Sequence, residues 1–237
     1  MTIKRAKIVV VVDNRSMNES LTSSWGLSIY VEADDHKILF DTGDDSMVLE
    51  HNANILNLNL KDLDLIVISH GHGDHTGGLP LIARLCPGVR VYFPKHARLE
   101  GYIEGFGLSP CPVSSTIEVM DGVYVLGEVN GRIFGIWEDA LVIKLIDDRL
   151  ILLCGCSHPG VDKLAEKALK EVGGKLHLVM GGFHMPSRRM IDRLVELGAD
   201  RIYPLHCSGE GIIGYMKTRY PERLGIGGCG LVLTFEA

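Results

Sequence analysis

An apolar run, Leu65 to Ile68, leads directly into His70-Gly71-His72-Gly73-Asp74-His75, and Thr76, Gly77 and Gly78 follow. This junction constrains the fold more than any other stretch of the chain. A strand that stops at His70 leaves its tip bare, and the glycines let a tight loop fold back over that tip. His70 and His72 can then point one way while Asp74 and His75 reach in from the other side. Imidazoles with one carboxylate suit zinc and tolerate iron or manganese. The bland alternative is a polar loop with chance histidines. Three His and one Asp within six residues, directly after a buried strand, weigh against it.

Composition narrows the class. The 237 residues suffice for one large α/β domain or two small ones, and 46% hydrophobic residues supply a substantial core, so disorder is not expected. A net charge of −6, from 24 basic and 30 acidic residues, argues against a nucleic-acid partner. The six cysteines, at 86, 111, 154, 156, 207 and 229, form no Cys-x-x-Cys pair. This is the usage of a reduced, cytoplasmic chain rather than of a disulfide framework. The apolar run at 8–12 ends at Asp13 and is too short for a signal peptide. No stretch approaches the ~18 residues of a membrane helix, so no membrane association is expected.

Periodicity and turn residues predict strands at 8–12, 27–32 and 37–40, then a helix from Asp44 and Asp45 to about Leu58. A strand at 65–68, a helix at 79–85 and a strand at 89–93 follow. Residues 94–122 carry prolines 94, 110 and 112 and glycines 101, 105 and 107 in no clear period, and read as one long loop. Strands are expected at 123–129 and 133–136, with a hairpin of 141–146 and 150–153. The last third alternates: helix 162–172 stopped by Gly173, strand 176–180, helix 188–197 stopped by Gly198, strand 201–205, and a final strand 231–235. Such alternation implies right-handed crossovers between parallel strands. His70, His158, His184 and His206 each come just after a hydrophobic strand. Ligands of open α/β sheets bind at the carboxyl ends of strands, so these four side chains are expected on one rim.

At these residues the chain resembles the metallo-β-lactamase superfamily, whose signature reads His-x-His-x-Asp-His. Phe40-Asp41-Thr42-Gly43 looks like the superfamily's earlier Asp-containing turn. Gly155-Cys156-Ser157-His158-Pro159-Gly160, Gly181-Gly182-Phe183-His184 and Pro204-Leu205-His206-Cys207-Ser208-Gly209 look like a narrower group. That group includes a dihydropterin–ribofuranosylaminobenzene phosphate synthase of methanopterin biosynthesis. The resemblance covers nearly the whole chain. It implies an αββα sandwich of two mixed β-sheets flanked by helices, formed by residues 1–237 as a single domain.

The resemblance also implies roles. His70 and His72 would serve one metal and Asp74 and His75 a second, with His206 as the last ligand. The chain departs from the common pattern at Leu152-Leu153-Cys154-Gly155-Cys156, where a cysteine stands in place of the bridging Asp. The usual third His is missing too, since Glu138 and Asp139 occupy that neighbourhood, and His158 is inferred to take its role. Cys156 has two readings, a bridging thiolate or a small buried residue beside the site. Asp41 is expected to orient a ligand imidazole. Asp74 can also orient or deprotonate a water, and His184 can bind substrate, donate a proton or ligate. Tyr102 and Phe106, on the long loop, are expected to cover the rim and contact a ring-bearing substrate. Trp25 reads as core. Asn14 and Asn18 fit glycosylation sequons that a cytoplasmic chain would not use.

Three functions follow from different classes. One is a hydrolase of a small molecule, acting through a metal-activated water. The second is a transferase or synthase acting on a pterin- or phosphate-bearing substrate. The third is a metal-binding protein without catalysis, the outcome if residues 94–122 plugged the site.

Overall fold

Burial alternates along the strands and sorts each residue to one face of its sheet. In β1 (Arg5–Val12), Ala6, Ile8 and Val10 join a central core while Val9 and Val11 join an outer one. A strand covered on both faces reads as a continuous apolar run, which is why 8–12 stands out in the sequence. The computed structural model describes residues 3–131 and 135–237.

The first sheet takes β1, β2 (Ser28–Ala33), β3 (His36–Phe40), β4 (Leu65–Val67), β5 (Arg90–Pro94) and β6 (Ser109–Val113) in that order. The second takes β7 (Ile117–Met120), β8 (Val123–Asn130), β9 (Trp137–Lys144), β10 (Arg149–Cys154), β11 (Lys175–Gly182) and β12 (Arg201–Leu205). The last strand, β13 (Val232–Glu236), returns to pair antiparallel with β1. Both sheets are mixed: β3 to β6 run parallel, as do β10 to β12.

The sheets pack face to face over a central core that includes Phe40 and Val67 from one and Leu141, Ile151 and Met180 from the other. Each such side chain contributes about 1.5–3 kcal/mol by leaving water. Helices α1 (Ser46–Ile55), α3 (Leu79–Leu85) and α4 (Glu100–Gly105) cover the first sheet, with a single turn, α2 (Gly73–Thr76), at its rim. Helices α5 (Val161–Glu171), α6 (Arg188–Glu196) and α7 (Glu210–Arg219) cover the second. The architecture is the αββα sandwich expected. No helix among the described residues is long and apolar enough to cross a membrane.

The structure corrects the sequence reading in three places. Residues 94–122 are not one long loop, since they hold α4, β6 and β7. Pro110 and Pro112 masked β6, yet an edge strand tolerates proline because one side of its ladder is unpaired. Helix α7 went unread because Gly211 and Gly214 lower its helix propensity; Ile212, Ile213 and Met216 are its buried face. Of the strand expected at 133–136, Ile133 and Phe134 lie outside the described residues, and Gly135 is in a turn.

Candidate metal centre

Four strand ends meet at one rim. His70 follows β4, and the turn α2 brings back Asp74 and His75. His158 follows β10, His184 follows β11 and His206 follows β12. Imidazole rings stand 4.2 Å apart for His70 and His75, 4.7 Å for His70 and His158, and 5.1 Å for His75 and His206. His72 sits 4.6 Å from His70, and His184 sits 4.6 Å from His158.

The Nδ1 atoms are tied down one by one. His75 Nδ1 lies 2.6 Å from Asp41 Oδ2, and His70 Nδ1 lies 2.9 Å from Ser69 Oγ, which itself donates to Asp41 Oδ2 at 2.8 Å. His158 Nδ1 faces Glu138 Oε2 at 2.9 Å, and His206 Nδ1 faces Asn14 Oδ1 at 2.9 Å. Carboxylate and amide oxygens only accept, and the Ser69 hydroxyl already donates its proton to Asp41, so each of these four Nδ1 atoms carries a proton; in the neutral rings Nε2 is left with the lone pair. His72 instead turns Nδ1 toward His70 Nε2, at 3.0 Å. Asp74 Oδ2 lies 3.3 Å from His206 Nε2, and Cys156 Sγ lies 3.3 Å from His75 Nε2.

Backbone strain concentrates here. Asp41, Ser157, His184, Met185 and His206 have φ of 47–59°, a left-handed conformation that costs a residue with a side chain about 1–2 kcal/mol. Hydrogen bonds hold it in place. His206 N–H donates to Asp13 Oδ2 at 2.7 Å, and Met185 N–H to the Cys207 carbonyl at 2.9 Å. Gly155 has no alternative: a Cβ there would collide with Ser69 Oγ.

Electrostatics follow from burial and crowding. Burial, then the charge of neighbouring imidazoles, holds His70 well below its ordinary value, so it stays neutral. Burial would lower His75 as well, but the Asp41 carboxylate raises it to about 9. Burial works against ionised Asp74, yet His206, its Nε2 3.3 Å away, and the charge of His75 lower it to about 2. His184 is lowered by burial and by His158, so it is neutral at pH 7 and better placed to accept a proton than to donate one. Asp139 is buried with no partner for either oxygen among the described residues, and burial keeps its carboxyl well above the usual range.

These donors fit a metal. His70 with His72 and Asp74, His70 with Cys156 and His158, and His75 with Cys156 and His206 each offer three ligand atoms within 4.8 Å of one another. His206 Nε2 is buried and without a hydrogen-bond partner.

Not every expected residue comes to the rim. Phe106 packs on the outer core, next to Gly107, whose carbonyl accepts from Gly88 ahead of β5, at the far end of that strand. Tyr102 stacks edge-on against Phe106 at 5.0 Å. The assignment of both rings to substrate is therefore corrected; Leu99, packed near Gly71, is the part of this segment that reaches the rim. Trp25 is corrected in the opposite sense. It is 63% exposed, with its ring 5.4 Å from that of His206. Sequence reasoning gave no part in the site to Asn14, Ser69, Glu138 or Cys207. Cys207 could have been noticed as the neighbour of His206; the others had no local signal.

Comparison with known proteins agrees with this geometry. The sequence model of the Metallo-beta-lactamase superfamily matches residues 26–206. The chain is 29% identical over 252 residues to a 7,8-dihydropterin-6-methyl-4-(beta-D-ribofuranosyl)-aminobenzene-5'-phosphate synthase of Methanocaldococcus jannaschii, covering 83% of this chain and 85% of that protein. Among solved structures, a metal-dependent hydrolase of the beta-lactamase superfamily superposes with a TM-score of 0.83 at 25% identity, covering 98% of this chain and all of that one. A diphosphatase of the PhnP family superposes at 0.69 with 18% identity, over 99% of both chains, a likeness of fold alone.

Proposed function

This chain belongs to the metallo-beta-lactamase superfamily, and from that membership we propose that it is a metal-dependent hydrolase of a small molecule. One observation carries the reading. His70, His75, His158 and His206 each turn Nδ1 to a fixed oxygen and Nε2 into the cluster, and in His206 that Nε2 is buried without a hydrogen-bond partner. A buried, unsatisfied polar atom costs about 1–3 kcal/mol, and a cation removes the cost. We assign one or two divalent ions to the rim, zinc by the chemistry of the donors, with iron or manganese as alternatives. His70, His72 and His158 would hold one ion; Asp74, His75, Cys156 and His206 would hold the other.

A bound ion supplies a water whose pKa falls toward about 7, together with positive charge against developing negative charge. The chain's own residues do the rest. Asp74, ionised at neutral pH, would accept a hydrogen bond from the attacking water and orient it. His184, neutral and exposed, would hydrogen-bond the substrate or accept a proton. Trp25 offers an exposed ring at the edge of the rim. His72 and His184 are exposed too, which supports an open site over a plugged, non-catalytic one. With all six cysteines free, we assign the protein to the reducing cytoplasm. The central core draws on both sheets, so we read residues 1–237 as one domain.

A second reading, a synthase or transferase, is favoured by the extent of the match to the methanogen enzyme. Asp74 and His184 would then serve a pterin- or phosphate-bearing substrate in place of water. The test is metal analysis of protein purified without added metal, followed by turnover assays with phosphoesters, lactones and pterin precursors. Hydrolysis of a phosphoester or lactone, lost in Asp74→Ala with the fold retained, supports the first reading. Condensation of pterin precursors without hydrolysis replaces it with the second.

A further inference from the structure

Cys207 has no part in the histidine–carboxylate arrangement, yet its Sγ lies 3.3 Å from Cys156 Sγ. The two thiols come from loops after β12 and β10, on either side of β11. Gly182, at the end of β11, makes the approach possible: a Cβ there would stand 2.8 Å from Cys207 Sγ. His184 completes the group. Its backbone N–H donates to Cys207 Sγ at 3.2 Å, and a ring nitrogen of His184 lies within 4.8 Å of both sulfurs. The cysteines are free thiols, and their separation far exceeds the ~2.05 Å of a disulfide.

We propose that Cys156, Cys207 and His184 form a further, thiol-rich binding position for a soft divalent cation such as zinc or cadmium, on the His184 side of the centre. It rests on the reading of the rim as a metal centre and extends it with a ligand set of different chemistry. Two thiolates about 2.3 Å from a tetrahedral ion lie about 3.8 Å apart, so the sulfurs need to separate by only about 0.5 Å. Thiolate and imidazole favour zinc or cadmium over manganese or magnesium. Loading releases the two thiol protons to solvent, leaving two thiolate–metal bonds and one imidazole–metal bond. Cys156 is shared with the histidine sets, so an ion held here competes with one held between His75 and His206.

The experiment titrates reduced, metal-free full-length protein with Cd²⁺ and follows the ultraviolet thiolate-to-metal absorption. The position predicts a two-thiolate intensity in the wild type, falling to about half in Cys207→Ser and in Cys156→Ser. Cys86→Ser, remote from the rim, should leave it unchanged. Alkylation mapped by mass spectrometry gives a second readout that needs no variant to fold: Cd²⁺ should protect Cys156 and Cys207 together. Unchanged absorption in Cys207→Ser, or alkylation of Cys207 at the same rate with and without Cd²⁺, overturns the proposal while leaving the histidine centre standing. Failure of the protein to bind any divalent ion removes both.

Discussion

His75 Nδ1 and Asp41 Oδ2 lie 2.6 Å apart, both fully buried, and the same carboxylate oxygen accepts from the Ser69 hydroxyl that backs His70. One carboxylate, at a left-handed turn after β3, thus sets the orientation of two imidazoles on the far side of the loop. Asp41→Asn keeps the volume but loses an acceptor. Metal affinity should fall about 10–100-fold, the usual effect of losing a partner behind a ligand. Chelator competition, with circular dichroism to verify the fold, checks this; unaltered affinity would show that Asp41 merely packs.

The same pair predicts a pH dependence. With its pKa raised to about 9, metal-free His75 carries both ring protons at pH 7, and a metal at Nε2 must displace one. Asp74, lowered to about 2, is already ionised and releases none. Apparent metal affinity should therefore rise about tenfold per pH unit for that proton and level off above about 9. Calorimetry in buffers of different ionisation enthalpy counts the protons released, and a count of zero at pH 7 contradicts the assignment.

Asn14 holds His206 from two sides: its Oδ1 meets Nδ1 at 2.9 Å, and its Nδ2 donates to the His206 carbonyl at 3.1 Å. Asn14→Ala should weaken metal binding about 10–100-fold, and Asn14→Asp, which still accepts from Nδ1, should recover most of it. If the alanine variant binds as tightly as wild type, His206 is not a ligand.

Cys156 Sγ, 3.3 Å from His75 Nε2, occupies a place that a carboxylate can also fill. Cys156→Asp should keep the metal stoichiometry of the wild type, and Cys156→Ala should lower it. Elemental analysis of the three proteins decides, since equal content in all of them reduces Cys156 to packing.

Trp25, exposed beside His206, is expected to stack on a ring-bearing substrate. Removing such a contact is worth about 0.5–1.5 kcal/mol, so Trp25→Ala should raise KM roughly 2- to 10-fold with little change in kcat. A variant with unchanged KM on every active substrate removes the ring from the site.

Local order was legible in the chain because hydrophobic periodicity and turn residues act over a few neighbours. The run before His70, the strand–helix alternation from β10 to β12, and the histidines at strand ends could all be read that way. The sandwich itself came from resemblance, since no local period specifies how two sheets face each other. Of the partners behind the histidines, Asp41 was expected from the resemblance, and the others were decided by tertiary structure alone. Asn14 meets His206 across 192 positions, and Glu138 meets His158 across 20. Such pairs leave no periodic trace, because a hydrogen-bonding side chain is selected by where the sheets bring it and not by its neighbours in sequence. The same reason explains the rings that were exchanged. Tyr102 sits in a short helix and Phe106 just past its end, packed together on the outer side of the first sheet, while Trp25, beside an apolar strand and indistinguishable from core by pattern, emerges at the edge where β2 meets the histidine cluster.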